Sequence, residues 1–262
     1  MRIGSLPRIA AFVSAITLPA SGLADEGTES YVPKKAYARP AGRPTGKVPS
    51  SPVSPAARAA QGTNIVLNGG FESNGGAGTN IFNDWTVENL FGGVGDWLVQ
   101  TGTTSPLNGF PVDAPPEGTF AAMTDQGGPG SHVLHQVLAV PAAPAVILTC
   151  QVFVSNQAGV YFTPATLDFN GEPNQQARID IMNPAAPIDD VGAGVLLNVF
   201  ITNPGDPILI PYTTVTANLT PFAGTSVRLR VAEVDNQLFM NVGVDNCSTA
   251  DVPVELMGLS VE

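Results

Sequence analysis

Two acidic residues stand near opposite ends of the β-rich part of the chain. Glu72 ends the stretch Asn64-Ile-Val-Leu-Asn-Gly-Gly-Phe-Glu72, a short apolar run that breaks into a glycine turn, and Asp245 lies in the apolar run Val242-Gly-Val-Asp-Asn-Cys247. We interpret these runs as the opening and closing strands of one β-sandwich, which allows both carboxylates to meet over a cation. Calcium accepts such oxygen ligands. The alternative is that Glu72 caps a turn and Asp245 hydrogen-bonds a loop.

The other groups that could do chemistry do not form an evident active site. His132 and His135 are three residues apart, which in a strand puts them on opposite faces, so they are not expected to share one metal. Ser131 and His132 are neighbours in sequence, which does not indicate a catalytic triad, because a triad needs three groups that converge in space. The stretch Asp125-Gln-Gly-Gly-Pro-Gly130 lacks the lysine of a phosphate loop and is interpreted as a turn that lines a ligand cleft.

The two cysteines, Cys150 and Cys247, both lie in strand-like runs. A disulfide between them is chemically permissible if the protein is exported. The alternative is a pair of buried thiols that act as small apolar groups. The sequence leaves both possibilities open, because it does not show how closely the two Cα atoms approach.

The charge of the chain is uneven. From residue 63 onwards there are three arginines, no lysine and 19 acidic residues, which gives a formal charge of −16. Such a surface repels phosphate backbones, so nucleic acid is not an expected partner. It suits divalent cations and neutral ligands, although an acidic surface is also ordinary for a soluble extracellular protein.

The first 62 residues are expected to lie outside the folded domain. Residues 1–24 have a basic start, a short apolar run and a small-residue exit, which together predict a secretory signal peptide. Residues 25–62 are rich in Pro, Ala and Ser with scattered Lys and Arg, which predicts a disordered linker that either stays solvated or contacts anionic envelope polymers. We therefore expect a secreted or cell-surface protein without a transmembrane segment in its mature chain.

The remainder, residues 63–262, is predicted to be one all-β domain, an antiparallel β-sandwich of the jelly-roll type. Short β-rich runs alternate with Gly, Pro, Asn and Asp, and no sustained helical periodicity or βαβ spacing is present. The predicted strands are Ile65–Leu67, Trp85–Glu88, Trp97–Gln100, Phe120–Thr124, Val133–Val140, Val146–Ser155, Ala177–Met182, Leu196–Thr202, Tyr212–Asn218, Ser226–Val234 and Gly243–Cys247.

Period-two alternation predicts which side chains face the core. In the sixth run Leu148, Cys150, Val152 and Val154 share one parity and are expected to point inward. In Ser226–Val234 the apolar residues alternate with two arginines, Arg228 and Arg230, for which we expect surface ion pairs.

Several motifs resemble one known family. Asn64–Glu72, Asp84-Trp-Thr86, Gly118-Thr-Phe-Ala-Ala122, Leu219–Leu229 and Val242–Asn246 occur in the order seen in galactose-binding-like jelly rolls, and they are similar to the carbohydrate-binding modules of bacterial cellulases and xylanases. The resemblance implies a structural calcium ion where the first and last strands meet, with Glu72 and Asp245 as ligands. It does not by itself imply a ligand, because one fold serves many functions.

The resemblance also implies sugar rings stacked on aromatic side chains and hydroxyls bound by amides. The candidate ligand contacts are Trp97, Tyr161, Gln126 and Asn89, whereas Trp85 falls where the family buries an aromatic side chain. Each candidate has an alternative role in the core.

Three functions remain after the sequence is considered. The favoured one is a non-catalytic module that binds a carbohydrate or glycoconjugate. The second is a structural or adhesive envelope protein that binds another protein. The third, a glycoside hydrolase, needs two carboxylates held across a cleft, and the neighbours Asp189 and Asp190 are expected to point apart.

Overall fold

The computed structural model describes residues 63–143 and 145–251. The predicted signal peptide, residues 1–24, and the predicted linker, residues 25–62, lie outside these ranges, as do residues 252–262. The described residues contain no helix that is long and apolar enough to cross a membrane.

Two five-stranded antiparallel sheets make up the described part of the chain, which confirms the predicted β-sandwich. The first sheet has the order β1-β4-β9-β6-β7 and the second the order β2-β3-β10-β5-β8, so β8 forms one edge of the second sheet. The strands are β1 (Thr86–Asn89), β2 (Asp96–Gln100), β3 (Ala121–Asp125), β4 (Gly130–Ala139), β5 (Val146–Asn156), β6 (Gln175–Met182), β7 (Val195–Ile201), β8 (Leu209–Asn218), β9 (Ser226–Asp235) and β10 (Met240–Asp251).

The core lies between the two sheets and follows the predicted alternation. Leu148, Cys150, Val152 and Val154 of β5 are all buried in one apolar cluster. Because side chains of a strand alternate between faces, this parity fixes which surface of the second sheet meets the first.

The opening stretch differs from the prediction, because Ile65–Leu67 is not a strand. The chain lies beside β10 but forms side-chain rather than ladder hydrogen bonds there: the backbone N–H of Ile65 donates to Thr249 Oγ1 at 2.9 Å. Asn68 then takes a φ of 48°, a left-handed conformation that interrupts the extended backbone a strand needs.

The opening stretch instead closes one end of the core with aromatic rings. Phe71 packs against Phe82 and Trp85, with ring centroids 5.7 and 5.1 Å apart. Trp85 is buried, as predicted, and its Nε1–H donates to the carbonyl oxygens of Leu67 and Asn68. The indole therefore fills apolar space while its polar edge holds the turn.

The prediction of surface ion pairs for the β9 arginines is wrong. Arg230 is fully buried, and its guanidinium donates to Asp180 Oδ2 at 2.5 Å, as does Arg178 at 2.7 Å. Arg228 donates to backbone carbonyls, including that of Ala186. The segment that follows β6 covers the outer face of the first sheet. The arginines donate hydrogen bonds to backbone carbonyls of this segment, which would otherwise lack partners.

A disulfide joins the two cysteines, with a Cα–Cα distance of 4.1 Å and a sequence separation of 97. It connects neighbouring strands β5 and β10 on the core side. The register of these strands shifts between Asp245 and Ser248, where Cys247 lies. The bridge therefore fixes β10 at a point where its ladder with β5 is irregular.

We predict that replacing both cysteines with alanine lowers the free energy of unfolding. Closing a loop of this length stabilises the fold by about 4–5 kcal/mol in the chain-entropy model. For a domain of this size that corresponds to a melting temperature lower by about 8–20 °C. Thermal melts of the variant, and of the wild-type protein with and without reductant, check this. A melting temperature that neither change affects would contradict the bridge.

Candidate functional site

The two carboxylates predicted to meet do converge, on one loop. Glu72 Oε1 accepts hydrogen bonds from the backbone N–H groups of Thr119 and Phe120, at 2.7 and 2.8 Å. Asp245 Oδ2 accepts one from the N–H of Glu117, at 3.1 Å. Both acids therefore hold the segment that leads into β3, which is the alternative role that the sequence allowed.

A third acid, Glu117, lies nearby: a Cβ added to Gly70 would be 2.1 Å from its Oε2, and its charge acts on Asp245. We call Glu72, Glu117 and Asp245 the acidic corner. Asp245 is fully buried, and burial raises the pKa of its carboxyl to about 7, with Glu117 and Glu72 adding repulsion and its hydrogen bonds opposing the rise. Sequence reasoning missed Glu117. The one sequence feature that pointed to this position was the glycine that follows it, Gly118. Gly118 takes a φ of 59°, and its backbone lies so close to Glu72 that an added Cβ would be 2.3 Å from Oε1.

The acidic corner fits a calcium ion by the chemistry of its donor set. Its oxygens are hard ligands, and Glu72 Oε2 accepts no hydrogen bond from the described residues. Among those residues, no ion pair with Arg or His balances the three carboxylates. However, no group of three or more His, Cys, Asp or Glu side chains in the described ranges is arranged as a metal site. Backbone or water oxygens would have to complete the coordination.

Three of the four predicted sugar contacts lie inside the protein. Trp97 and Tyr161 are fully buried, and the Tyr161 hydroxyl donates to the carbonyl of Pro207. Gln126 is buried too, with its Nε2 bound to Asp235 and to the Met240 carbonyl. The prediction that they contact a surface ligand does not hold, because ring faces and amides in the core are not accessible to a sugar.

The fourth candidate, Asn89, is exposed at the end of β1. Its Oδ1 lies 2.8 Å from Nδ1 of His132, which is buried, and burial lowers the pKa of that imidazole to about 4. His135 has its own partner, with Nε2 2.9 Å from Glu88 Oε1. The two histidines thus bind different residues, and Asn89 serves to fix a neutral His132.

An open pocket of about 180 Å³ lies where the β3–β4 and β9–β10 connections meet, and we call it the apical pocket. Its wall is formed by Gly128 and Pro129 on one side and by residues 235–239 on the other. The predicted turn 125–130 therefore does line a cleft. Leu238 and Phe239 supply apolar surface, and the remaining side chains of the wall are amides and one carboxylate.

A pair of phenylalanines stands beside this pocket. The ring centroids of Phe110 and Phe239 are 5.7 Å apart, tilted by 45°, and both side chains are partly exposed. Asp125 positions the loop that carries Phe110, because its carboxylate accepts hydrogen bonds from the backbone N–H groups of Leu107 and Asn108. Sequence reasoning missed this pair, since 129 residues separate loops that only the sandwich topology brings together.

One buried acid, Asp235, belongs to the wall of the apical pocket. Asp235 is 2% exposed, and its carboxylate accepts hydrogen bonds from Gly130 N at 3.0 Å and from Gln126 Nε2 at 2.7 Å. Burial raises the pKa of Asp235 to about 7 despite these two bonds. Glu233, two residues earlier on the same face of β9, is fully buried, and neither of its oxygens has a hydrogen-bond partner.

Glu233 yields a pH-dependent prediction. Burial, with repulsion from Asp235, raises the pKa of its carboxyl well above the ordinary value of 4.5. The folded state therefore keeps a proton that the unfolded chain releases above that pH, and the free energy of unfolding falls as pH rises. The slope reaches about 1.4 kcal/mol per pH unit while the folded carboxyl stays protonated. We predict that the stability of Glu233→Gln relative to wild type increases from about pH 5 to about pH 8.

Urea denaturation of both proteins across that range measures the difference. Glutamine carries the same shape without a titrating proton, so groups common to both proteins cancel. A stability difference that stays constant with pH would show that Glu233 is not a buried neutral acid.

No protein-family model matches the sequence, and no curated protein sequence matches it either. Solved structures do resemble the chain. One is the K3 cleaved adhesin domain of Lys-gingipain from Porphyromonas gingivalis, with 12% identity, a TM-score of 0.44 and coverage of 71% of this chain and 97% of that one.

Two other similar structures have different functions. The module TmCBM61 in complex with beta-1,4-galactotriose has 12% identity, a TM-score of 0.41 and coverage of 72% and 99%. The Stig cyclase Fisc from Fischerella sp. TAU has 19% identity, a TM-score of 0.44 and coverage of 72% and 98%. Because the similar structures include binding modules and an enzyme at low identity, the function has to be argued from the site.

Proposed function

We propose that this protein is an exported, non-catalytic β-sandwich that binds a carbohydrate or glycoconjugate in the apical pocket. The observation that carries the proposal is the Phe110–Phe239 pair beside one open cleft whose wall also carries the exposed amide of Gln237. Sugars present apolar C–H faces and hydroxyl edges, so they need both kinds of surface at once.

The walls of the pocket supply both kinds. Leu238 is 56% exposed, and with the ring of Phe239 it offers apolar surface to a sugar face. Gln237 is exposed next to them; its Nε2 donates to Asn236 Oδ1 at 2.8 Å, whereas its Oε1 can accept a hydrogen bond from a hydroxyl. Asn236 is less available, because its Nδ2 already donates to the carbonyls of Phe169 and Glu172.

The arrangement of acids supports binding rather than hydrolysis. Glycosidases hold two carboxyl groups about 5–9.5 Å apart across the scissile bond. Asp235 is the one carboxylate among the residues that line the apical pocket, and Glu233 lies behind it in the core. We therefore assign no catalytic residue.

We also propose calcium at the acidic corner, with Glu72 and Asp245 as carboxylate ligands. The ion would neutralise Asp245, whose burial otherwise disfavours its charged form. It would also bind the opening stretch to β10 and to the loop before β3, so its role would be structural.

Export is part of the proposal and rests on the sequence of residues 1–24. The basic linker, residues 25–62, is then a spacer that could contact an anionic envelope polymer. The acidic domain makes nucleic acid an unsuitable partner.

The binding proposal predicts retention on an insoluble β-1,4-galactan and release by soluble beta-1,4-galactotriose, the ligand of one similar module. Replacing Phe239 with alanine removes the ring beside Phe110 and should weaken binding about tenfold. Affinity electrophoresis or calorimetry with a panel of oligosaccharides measures this.

The matched control is Phe91→Ala, which removes an exposed ring that does not line the pocket. It should leave affinity unchanged. Equal losses in both variants would place the ligand elsewhere. Retention of a cell-surface protein together with no glycan binding would favour the adhesive function instead.

The calcium proposal predicts that a chelator lowers the melting temperature of the wild-type protein and that added calcium restores it. Asp245→Asn should abolish this response, because the amide carries no charge for the ion. Asp84→Asn is the control, since it removes an exposed charge at a position with a φ of 69° that asparagine tolerates. A chelator without effect on the wild-type melt would remove calcium from the proposal.

A further inference from the structure

Apolar side chains make up most of the accessible surface of the apical pocket. Leu238 is 56% exposed, Pro129 is exposed and Phe239 is partly exposed, and all three line the pocket. Val94 extends this surface, because it is exposed and lies beside Gly128: a Cβ added to Gly128 would be 3.6 Å from the Val94 Cβ. A ligand that enters the pocket therefore meets carbon atoms on both sides.

The one acid of the wall is not available to a ligand. Asp235 is 2% exposed, and both of its carboxylate oxygens accept hydrogen bonds inside the protein, Oδ1 from the Gly130 N–H and Oδ2 from Gln126 Nε2. The residues that form the wall therefore present no accessible charge. A charged group placed against apolar surface without a partner loses hydration, so the pocket favours neutral ligands.

The amide side chains of the wall are largely engaged with each other and with the backbone. Asn236 Nδ2 donates to two backbone carbonyls, and Asn236 Oδ1 accepts from the Asn174 N–H and from Gln237 Nε2, each at 2.8 Å. Gln237 Oε1 has no hydrogen-bond partner in the described part of the chain, and Gln237 is exposed. The wall thus offers a ligand one readily accessible side-chain acceptor.

Backbone carbonyls of the wall are engaged as well. The carbonyl oxygens of Pro129, Leu238 and Phe239 accept hydrogen bonds at 3.0, 2.8 and 3.0 Å from donors inside the domain. Proline also has no N–H to offer. A ligand hydroxyl that is buried against this wall gives up its water and finds few partners, which costs free energy.

The size of the pocket limits what can enter it. Its volume of about 180 Å³ lies below the roughly 300–1,000 Å³ of pockets that enclose drug-sized molecules. We therefore expect the pocket to take one terminal sugar ring, with the following rings of a glycan outside it.

We infer that the apical pocket prefers 6-deoxyhexoses, sugars in which a methyl group replaces the C6 hydroxymethyl group, at the end of a neutral glycan. This rests on the proposed function and names its ligand class. The methyl group packs against Pro129, Leu238 and Phe239, and a ring hydroxyl donates to Gln237 Oε1. An ordinary hexose would instead bring its C6 hydroxyl to apolar surface, where it has few partners.

Calorimetry with the full-length mature protein tests the inference with three matched methyl glycosides: β-D-galactopyranoside, its 6-deoxy counterpart, and α-L-arabinopyranoside, which has the same ring without C6. We expect the 6-deoxy sugar to bind about tenfold more tightly than the galactoside, because it buries a methyl group and avoids a poorly partnered hydroxyl. The arabinopyranoside has neither group and should bind with intermediate affinity. The corresponding series of glucoside, 6-deoxyglucoside and xyloside makes the result independent of ring configuration.

A substitution in the wall tests whether the pocket is responsible. Leu238→Ser places a hydroxyl there and should reduce the preference for the 6-deoxy sugar to about threefold or less. Leu67→Ser is the matched control, because Leu67 is also 56% exposed and does not line the pocket. It should keep the wild-type preference. Equal loss of the preference in both variants, or no loss in Leu238→Ser, overturns the inference.

The outcomes separate the inference from the function on which it rests. Glycan binding in which neither series favours its 6-deoxy member, or in which the sugar without C6 binds as tightly, overturns the inference and leaves carbohydrate binding in place. Binding of no glycan, 6-deoxy sugars included, overturns both.

Discussion

The contact between Gly69 and Cys247 is the constraint on which the arrangement of this domain depends. The N–H of Cys247 donates to the Gly69 carbonyl at 2.8 Å, and a Cβ on Gly69 would lie 1.9 Å from the Cys247 carbonyl oxygen. The same cysteine is bridged to β5. One residue thus joins the opening stretch, the last strand and a central strand. A residue larger than glycine at position 69 would force them apart.

This junction holds the acidic corner, whereas the apical pocket is built by connections between strands. Glu72 and Asp245 stand within three residues of Gly69 and Cys247, so the junction places them directly. The pocket is assembled from the β3–β4 and β9–β10 turns and from the loop that Asp125 holds. The acidic corner therefore depends on residues tied to the sheets, and the apical pocket depends on loops, where change in sequence is tolerated.

Much of the fold could be predicted from the sequence, because period-two alternation is a local signal. It indicated ten of the strands and the inward parity of Leu148, Cys150, Val152 and Val154. It failed at Ile65–Leu67, where three apolar residues resemble a strand but Asn68 takes a left-handed conformation. The local sequence does not distinguish Ile65–Leu67 from a true strand, because whether a strand forms there depends on hydrogen-bond partners about 180 residues away.

The site was harder to predict, because alternation shows which side chains share a face of a sheet but not whether another segment covers that face. Alternation placed Arg230 opposite the core and hence at the surface, but the segment after β6 covers that face. Trp97 and Tyr161 were candidates as aromatic residues near loops, yet both are internal. The convergence of Phe110 with Phe239, and of Glu117 with Asp245, arises from topology and leaves no spacing in the sequence.

The edge strand β8 carries a further consequence. Its ladder with β5 is interrupted between Val152 and Val154, opposite Pro211 and Tyr212. Proline has no N–H, so position 211 offers no donor to a strand approaching from outside. A second copy of the chain could not form a continuous hydrogen-bonded ladder along this edge. Interruptions of this kind in edge strands suppress self-association of β-sandwiches. Copies of this domain at high concentration are therefore expected to stay separate along this edge.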